Sequence, residues 1–119
     1  MKLILLLTLA AAGLMAADVT GVWTGTFTPD GRDPGPAHRV LKQEGAKLTG
    51  TAGPRAEEQL QIQNGKVEDG KLTFEVADEK TTMKFVLKLE GDEIKGDVSR
   101  ERDGQVQTAK LAVMRNKQH

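Results

Sequence analysis

The chain has 119 residues, with 17 basic and 17 acidic side chains, no cysteine and no tyrosine. This balance of charge provides no basic surface for a nucleic acid or an anionic membrane, so neither is an expected partner. The lack of cysteine excludes disulfides and a lipid-modified N-terminal cysteine. A domain of this size without disulfides must be held together by burial and backbone hydrogen bonds alone.

The N-terminal segment has the order of a secretory signal peptide. Lys2 precedes the apolar run Leu3–Leu14, and the small residues Ala16 and Ala17 follow before the first acidic residue. The run is shorter than the roughly 20 residues that a transmembrane helix needs. We therefore predict that residues 1–17 are a signal peptide, cleaved after Ala16 or Ala17. Residues 18–119 then form a single secreted or periplasmic domain that is not inserted in the membrane.

The rest of the chain consists of short stretches in which apolar and polar residues alternate, which is the pattern of half-buried strands. The predicted strands are residues 19–28, 38–43, 47–53, 59–68, 71–77, 82–90, 93–100 and 105–114. Four tight turns are expected at Glu44-Gly45, Asp69-Gly70, Gly91-Asp92 and Asp103-Gly104. The proline-rich segment Pro29–Ala37 and the segment Pro54–Glu58 are predicted to be surface loops.

In the fourth predicted strand, residues 59–68, the alternation of apolar and polar residues changes phase. Leu60 and Ile62 are expected to face inward, and continuing that phase would place Lys66 inside and Val67 outside. An extra residue at Asn64-Gly65 restores Val67 to the core, so we predict a β-bulge there. The alternative is a tight Asn-Gly hairpin.

Eight meandering strands without a helical segment predict an all-β protein, an eight-stranded antiparallel up-and-down barrel. Closing such a sheet on itself removes its exposed edges, and eight strands leave room for packed side chains or one small ligand. The alternative is a two-sheet β-sandwich, which usually needs a Greek-key connection. Only the segment Pro29–Ala37 is long enough to provide one.

An internal similarity supports this regularity. The segment Leu41–Gly50 (LKQEGAKLTG) matches Leu87–Gly96 (LKLEGDEIKG), so the two hairpins are expected to be structurally equivalent. The match is explained either by convergence on good hairpin residues or by duplication of a four-stranded half. The inward Gly50 and Gly96 let the sheet bend or leave space for a ligand, and bending is the favoured interpretation.

Short motifs resemble known barrel families. Gly21-Val22-Trp23 on the first strand resembles the G-x-W signature of lipocalins and calycins, and with Leu48-Thr49-Gly50-Thr51 it also resembles the opening strands of avidins. The segments GVWTGTF, LKQEGAKLTGT and GDEIKGDV are similar to small secreted bacterial domains of unknown function. The resemblance implies a ligand-binding barrel, but Trp23 is the only tryptophan, so it does not extend to biotin binding.

Residues for catalysis or metal binding are scarce. The two histidines are His38 and the C-terminal His119, and a zinc site needs three or four clustered ligands. Asp30 and Asp33 lack the ligand pattern of a calcium loop and are expected to be turn residues. Ser99 is the only serine and lies on an outward phase. We therefore expect no metal, no cofactor and no enzymatic activity.

The remaining hypothesis is binding. The four aromatic residues are on inward phases and are either core or pocket residues, and His38 lies near one opening of the barrel; the candidate ligand-binding residues are Trp23, Phe27, His38, Phe74 and Phe85. They predict an exported, non-catalytic protein that holds a small hydrophobic ligand. The alternative is an interaction module, such as an inhibitor or accessory of an envelope or secreted protein, that acts through loops such as Pro29–Ala37.

Overall fold

The computed structural model describes residues 18–116, which form eight antiparallel β-strands in a closed barrel. The strands are β1 (Gly21–Pro29), β2 (Gly35–Glu44), β3 (Lys47–Arg55), β4 (Glu58–Glu68), β5 (Lys71–Ala77), β6 (Thr82–Glu90), β7 (Glu93–Arg102) and β8 (Gln105–Arg115). Each strand pairs with the next, and β8 pairs with β1. The predicted fold class is confirmed, and the sandwich alternative is wrong. The predicted signal peptide and His119 lie outside the described residues.

The connections divide the barrel into two ends. The base contains the turns that follow β2, β4 and β6, together with the start of β1 and the end of β8. The mouth contains the connections that follow β1, β3, β5 and β7. Two turns have positive φ at both central residues, at 52° and 78° for Asp69-Gly70 and 53° and 77° for Asp103-Gly104. These values match the type I′ hairpin turn that an Asp-Gly pair favours.

The predicted bulge in β4 is confirmed. The register between β4 and β5 shifts between Gln63 and Lys66, and Asn64 has a φ of 53°. The strand nevertheless continues from Glu58 to Glu68, so the hairpin alternative is wrong. The bulge returns Val67, which is 5% exposed, to the interior.

Two predicted loops are shorter than expected because strands extend through prolines. Gly35 to Ala37 belong to β2, and Pro36 lies opposite Thr26 of β1. Pairing between β2 and β3 begins only at His38, so Pro36 lies on a locally unpaired edge, where a residue without a backbone N–H is tolerated. Pro54 belongs to β3 and coincides with a register shift between Ala52 and Arg55.

The inward glycines allow close approach of neighbouring strands rather than leaving space. A Cβ at Gly50 would lie 1.9 Å from the Val40 carbonyl oxygen, and one at Gly96 would lie 2.3 Å from that of Val86. Gly50 pairs with Leu41 and Gly96 pairs with Leu87, so the two similar hairpins are equivalent in register. This confirms the expected equivalence, and the close contacts contradict the interpretation that these glycines leave space for a ligand.

The core fills the barrel with the side chains that alternate inward along each strand. Its largest buried members include Trp23, Leu48, Leu72, Phe74, Phe85 and Leu111. Leu60 does not belong to this core. It lies opposite the buried Ala52 and so faces the inner side, but at the rim of the mouth, where it is 46% exposed.

Candidate functional site

The base of the barrel is closed around Trp23. This residue is fully buried, and its indole Nε1 donates a hydrogen bond to the Val19 carbonyl at 2.9 Å. The guanidinium of Arg115 lies on the outer side of the ring, 4.5 Å from its centre. Trp23 therefore packs as part of the base and does not line a cavity.

Two of the other predicted residues form the middle of the core. The rings of Phe74 and Phe85 stack with centres 4.6 Å apart and an interplanar angle of 17°. Both residues are 3% exposed. They provide an apolar layer that separates the base from the mouth.

An open cavity of about 480 Å³ lies at the mouth; we call it the mouth pocket. Its floor consists of inward side chains that are buried or packed on the core, namely Phe27, Met83, Val98 and Ala109. Polar residues of the β1–β2 connection and the β7–β8 hairpin form its rim, among them Asp30, Arg32, Ser99, Arg100, Gln107 and Thr108. An apolar floor beneath a polar rim is the usual organisation of a small-molecule site.

His38 lies on the outer phase of β2. The inward positions of this strand are Ala37, Arg39 and Leu41, all buried, whereas His38 is half-buried. Its backbone carbonyl accepts hydrogen bonds from Arg39 Nη1 at 2.9 Å and Gln59 Nε2 at 3.2 Å. Of the five predicted residues, only Phe27 lines the mouth pocket; Trp23, Phe74 and Phe85 are core residues.

The most unusual interior group is Arg39, which is only 5% exposed. Its Nη1 donates to the carbonyls of His38 and Gly53, at 2.9 and 3.0 Å, and its guanidinium carbon lies 5.4 Å from the centre of the Phe85 ring. Its Nε is buried without a hydrogen-bond partner. Within residues 18–116, no carboxylate forms an ion pair with it. The barrel interior thus contains a cation with no balancing anion.

Burial affects the protonation of this group but does not remove its charge at neutral pH. Loss of hydration lowers the pKa of Arg39 to about 10. At pH 7 the guanidinium therefore remains protonated. A second unmatched atom lies nearby, because the buried Oε1 of Gln59 also has no partner while its Nε2 shares the His38 carbonyl with Arg39.

Groups for other chemistry are not assembled in the described part of the chain. Residues 18–116 contain no set of three or more His, Asp or Glu side chains placed to hold a metal ion. They also contain no helix long and apolar enough to cross a bilayer.

The comparisons with known proteins leave the family open. No protein-family model matches the chain, and no curated protein or solved structure is significantly similar to it. The function must therefore be inferred from the geometry of the site.

Proposed function

We propose that this protein is an exported, non-catalytic binding protein that holds a small, largely apolar ligand in the mouth pocket. The observation that supports this function is the cavity of about 480 Å³ with a floor of barrel-interior side chains. Its volume lies within the range of roughly 300–1,000 Å³ that is common for small-molecule sites. The resemblance of Gly21-Val22-Trp23 to the lipocalin signature agrees with such a role.

The packing of the barrel supports one entrance for the ligand. The Phe74–Phe85 layer and the buried Trp23 fill the interior below the mouth, so a ligand would enter from the mouth and most of it would remain there. The apolar part of the ligand would lie on Phe27, Met83 and Val98, where contact with water is replaced by contact with hydrocarbon.

Export is a separate part of the proposal and is supported by the signal-like residues 1–17. We infer a secreted or periplasmic location. N-terminal sequencing of exported material is expected to begin at Ala17 or Asp18. An intact Met1 on membrane-bound protein would contradict export in cleaved form.

Ligand binding is tested by titrating the purified protein with the neutral fluorophore N-phenylnaphthylamine and following the emission of the probe. Gln107 is an exposed rim residue, so Gln107→Trp places a bulky ring over the pocket. We expect saturable binding by the wild type and a loss of about tenfold or more in Gln107→Trp, equivalent to about 1.4 kcal/mol. The matched control is Gln61→Trp, an exposed position on β4 away from the pocket. Absent binding, or equal losses in both variants, would refute the pocket.

A protein-interaction role is the second candidate because the mouth also exposes apolar side chains. Val106 on the β7–β8 hairpin is 69% exposed and Leu60 at the rim is 46% exposed. A photo-crosslinking residue at position 106, compared with one at the exposed Val86 on β6, tests this role in exporting cells. A discrete partner captured only from position 106 would support it, and equal capture from both positions would refute it.

A further inference from the structure

We propose that Arg39 binds the carboxylate of the ligand, so that the protein selects small amphipathic monocarboxylates. This inference rests on the proposed function, because it names the chemical class of the molecule in the mouth pocket. In this arrangement the apolar part of the ligand lies against the pocket floor, and its anionic head points down into the barrel.

The Arg39 side chain has a buried hydrogen-bond donor and a positive charge that lack partners. Arg39 is only 5% exposed, and its buried Nε–H has no hydrogen-bond acceptor. Buried charges in proteins are normally paired, because removing them from water is costly. A carboxylate is the natural partner, since it accepts hydrogen bonds from guanidinium N–H groups and neutralises the charge.

The Arg39 guanidinium lies close to residues that line the mouth pocket. The guanidinium lies over Phe85, which pairs with Val98 across β6 and β7 and is two residues from Met83 on the same face of β6. Both Val98 and Met83 line the mouth pocket. The guanidinium therefore lies against Phe85, in the layer of side chains next to Met83, whereas the Arg39 backbone pairs with Trp23 of β1.

The side chain that would have to move for a head group to reach Arg39 is Met83, which lines the pocket two residues from Phe85 on β6. Met83 is unbranched and only partly buried, and it packs against the core at the edge of the pocket. Methionine adapts its shape readily because it has three rotatable bonds and a polarizable thioether. Rotation of Met83 would bring a head group from the pocket towards the guanidinium without movement of the strands.

A purely structural role would not account for all of these features. Arg39 Nη1 does join the carbonyls of His38 and Gly53, and this brace supports the irregular pairing near the end of β3. The brace uses one of the guanidinium nitrogens. It leaves Nε without a hydrogen-bond acceptor and the positive charge without a carboxylate partner. A ligand carboxylate would accept a hydrogen bond from Nε–H and neutralise the charge.

The test compares decanoate, decanol and decylamine, which share a tail and differ in the head group, by isothermal titration calorimetry on the purified protein. We expect the wild type to bind decanoate on the order of 10- to 100-fold more tightly than decanol, as for a hydrogen bond to a charged group, and decylamine most weakly. In Arg39→Met the preference for decanoate over decanol should fall to about one, while decanol binding is retained. Arg39→Lys tests whether a positive charge without the planar guanidinium restores part of the preference for decanoate.

Arg100→Met removes the competing cation at the pocket rim and tests whether the carboxylate binds there instead, and Arg55→Met, at an exposed position outside the pocket, is the matched control that should leave the head-group preference intact. Loss of the preference in Arg100→Met but not in Arg39→Met would overturn the assignment, as would equal binding of decanoate and decanol by the wild type. Binding of none of the three compounds would instead refute the proposed function itself.

A measurement on the wild-type protein removes any dependence on the folding of variants. The Arg39 Nε–H resonance is expected to shift on addition of decanoate and to remain in place with decanol. A shift of equal size with both compounds, or with neither while both bind, would contradict a carboxylate contact at Nε.

Discussion

The guanidinium of Arg115 lies over the indole of Trp23, 4.5 Å from the ring centre, and its Nη1 and Nη2 donate hydrogen bonds to the carbonyls of Thr20 and Asp18 at 3.0 and 3.1 Å. This one side chain at the end of β8 therefore joins the segment before β1 to the base of the barrel. The contact closes the base from outside while Trp23 fills it from inside. Access to the interior is left to the mouth.

Removing this closure should destabilise the protein. In Arg115→Met the cation–π contact, two hydrogen bonds to backbone carbonyls and the ion pair with Asp92 are lost, so we expect the free energy of unfolding to fall by about 2 kcal/mol. Urea unfolding measures this change. The control is Arg55→Met, because Arg55 is 60% exposed and pairs only with Glu58, for which a change below about 0.5 kcal/mol is expected. Equal losses in the two variants would show that Arg115 does not hold the base.

Trp23 is expected to be the largest single contributor to the base. Trp23→Ala should lower the free energy of unfolding by about 3–5 kcal/mol, since a large buried ring is replaced by a cavity. Tryptophan emission of the wild type should be blue-shifted and should not respond to ligands in the mouth, which lies about four residues, or roughly 13 Å, along the strand. A stability loss below about 1 kcal/mol would contradict the burial of Trp23.

Arg39 and Leu41 provide a matched comparison, because they are neighbours on the inner face of β2 and are 5% and 3% exposed. Leu41→Ala should cost about 2–5 kcal/mol of stability. Arg39→Met should change it by no more than about 1 kcal/mol, or increase it, because an apolar side chain of similar length replaces an unpaired buried charge. Urea unfolding of both variants is the measurement. A loss above about 2 kcal/mol in Arg39→Met would mean that the arginine is retained for stability.

The turn between β5 and β6 provides a pH-dependent contact. Asp78 Oδ1 accepts hydrogen bonds from the backbone N–H groups of Lys80 and Thr81 at 2.8 and 2.9 Å, and these bonds lower the pKa of Asp78 from 3.8. A lowered pKa means that the contribution to stability is present above pH 3.8 and is lost as the pH falls through the folded-state pKa. The Asp78 carboxyl resonance should titrate below pH 3.8, and Asp78→Ala should speed hydrogen exchange at Thr81. A midpoint at or above 3.8 would contradict the turn geometry.

Much of the fold was predictable because strand phase and turn chemistry are local properties. The alternation in β5 and β6, the Asp-Gly turns and the bulge at Asn64-Gly65 all follow from the order of residues. The loop boundaries at the prolines were predicted wrongly. Whether Pro36 lies on an unpaired edge depends on where β3 begins to pair with β2. That is a property of the stagger between strands, which one strand alone does not reveal.

The site was less accessible to sequence reasoning. In β2 both Val40 and Leu41 are apolar, so the segment His38–Gln43 does not by itself fix which phase faces inward. The similarity between Leu41 and the inward Leu87 was the available signal, and following it would have placed Arg39 inside and His38 outside. The mouth pocket depends on how far the β7–β8 hairpin extends beyond its neighbours, which the sequence pattern does not specify.

The central claim, that a ligand occupies the mouth pocket, is tested most directly by mapping backbone amide shifts while N-phenylnaphthylamine is added to isotopically labelled protein. Saturable shifts are expected only at the mouth, at Phe27, Met83 and residues 98–100 and 106–109, with none at Trp23 or at the base turns 69–70 and 91–92. Shifts centred on the outer face of the sheet or on the base, or no saturable shift at all, would contradict it.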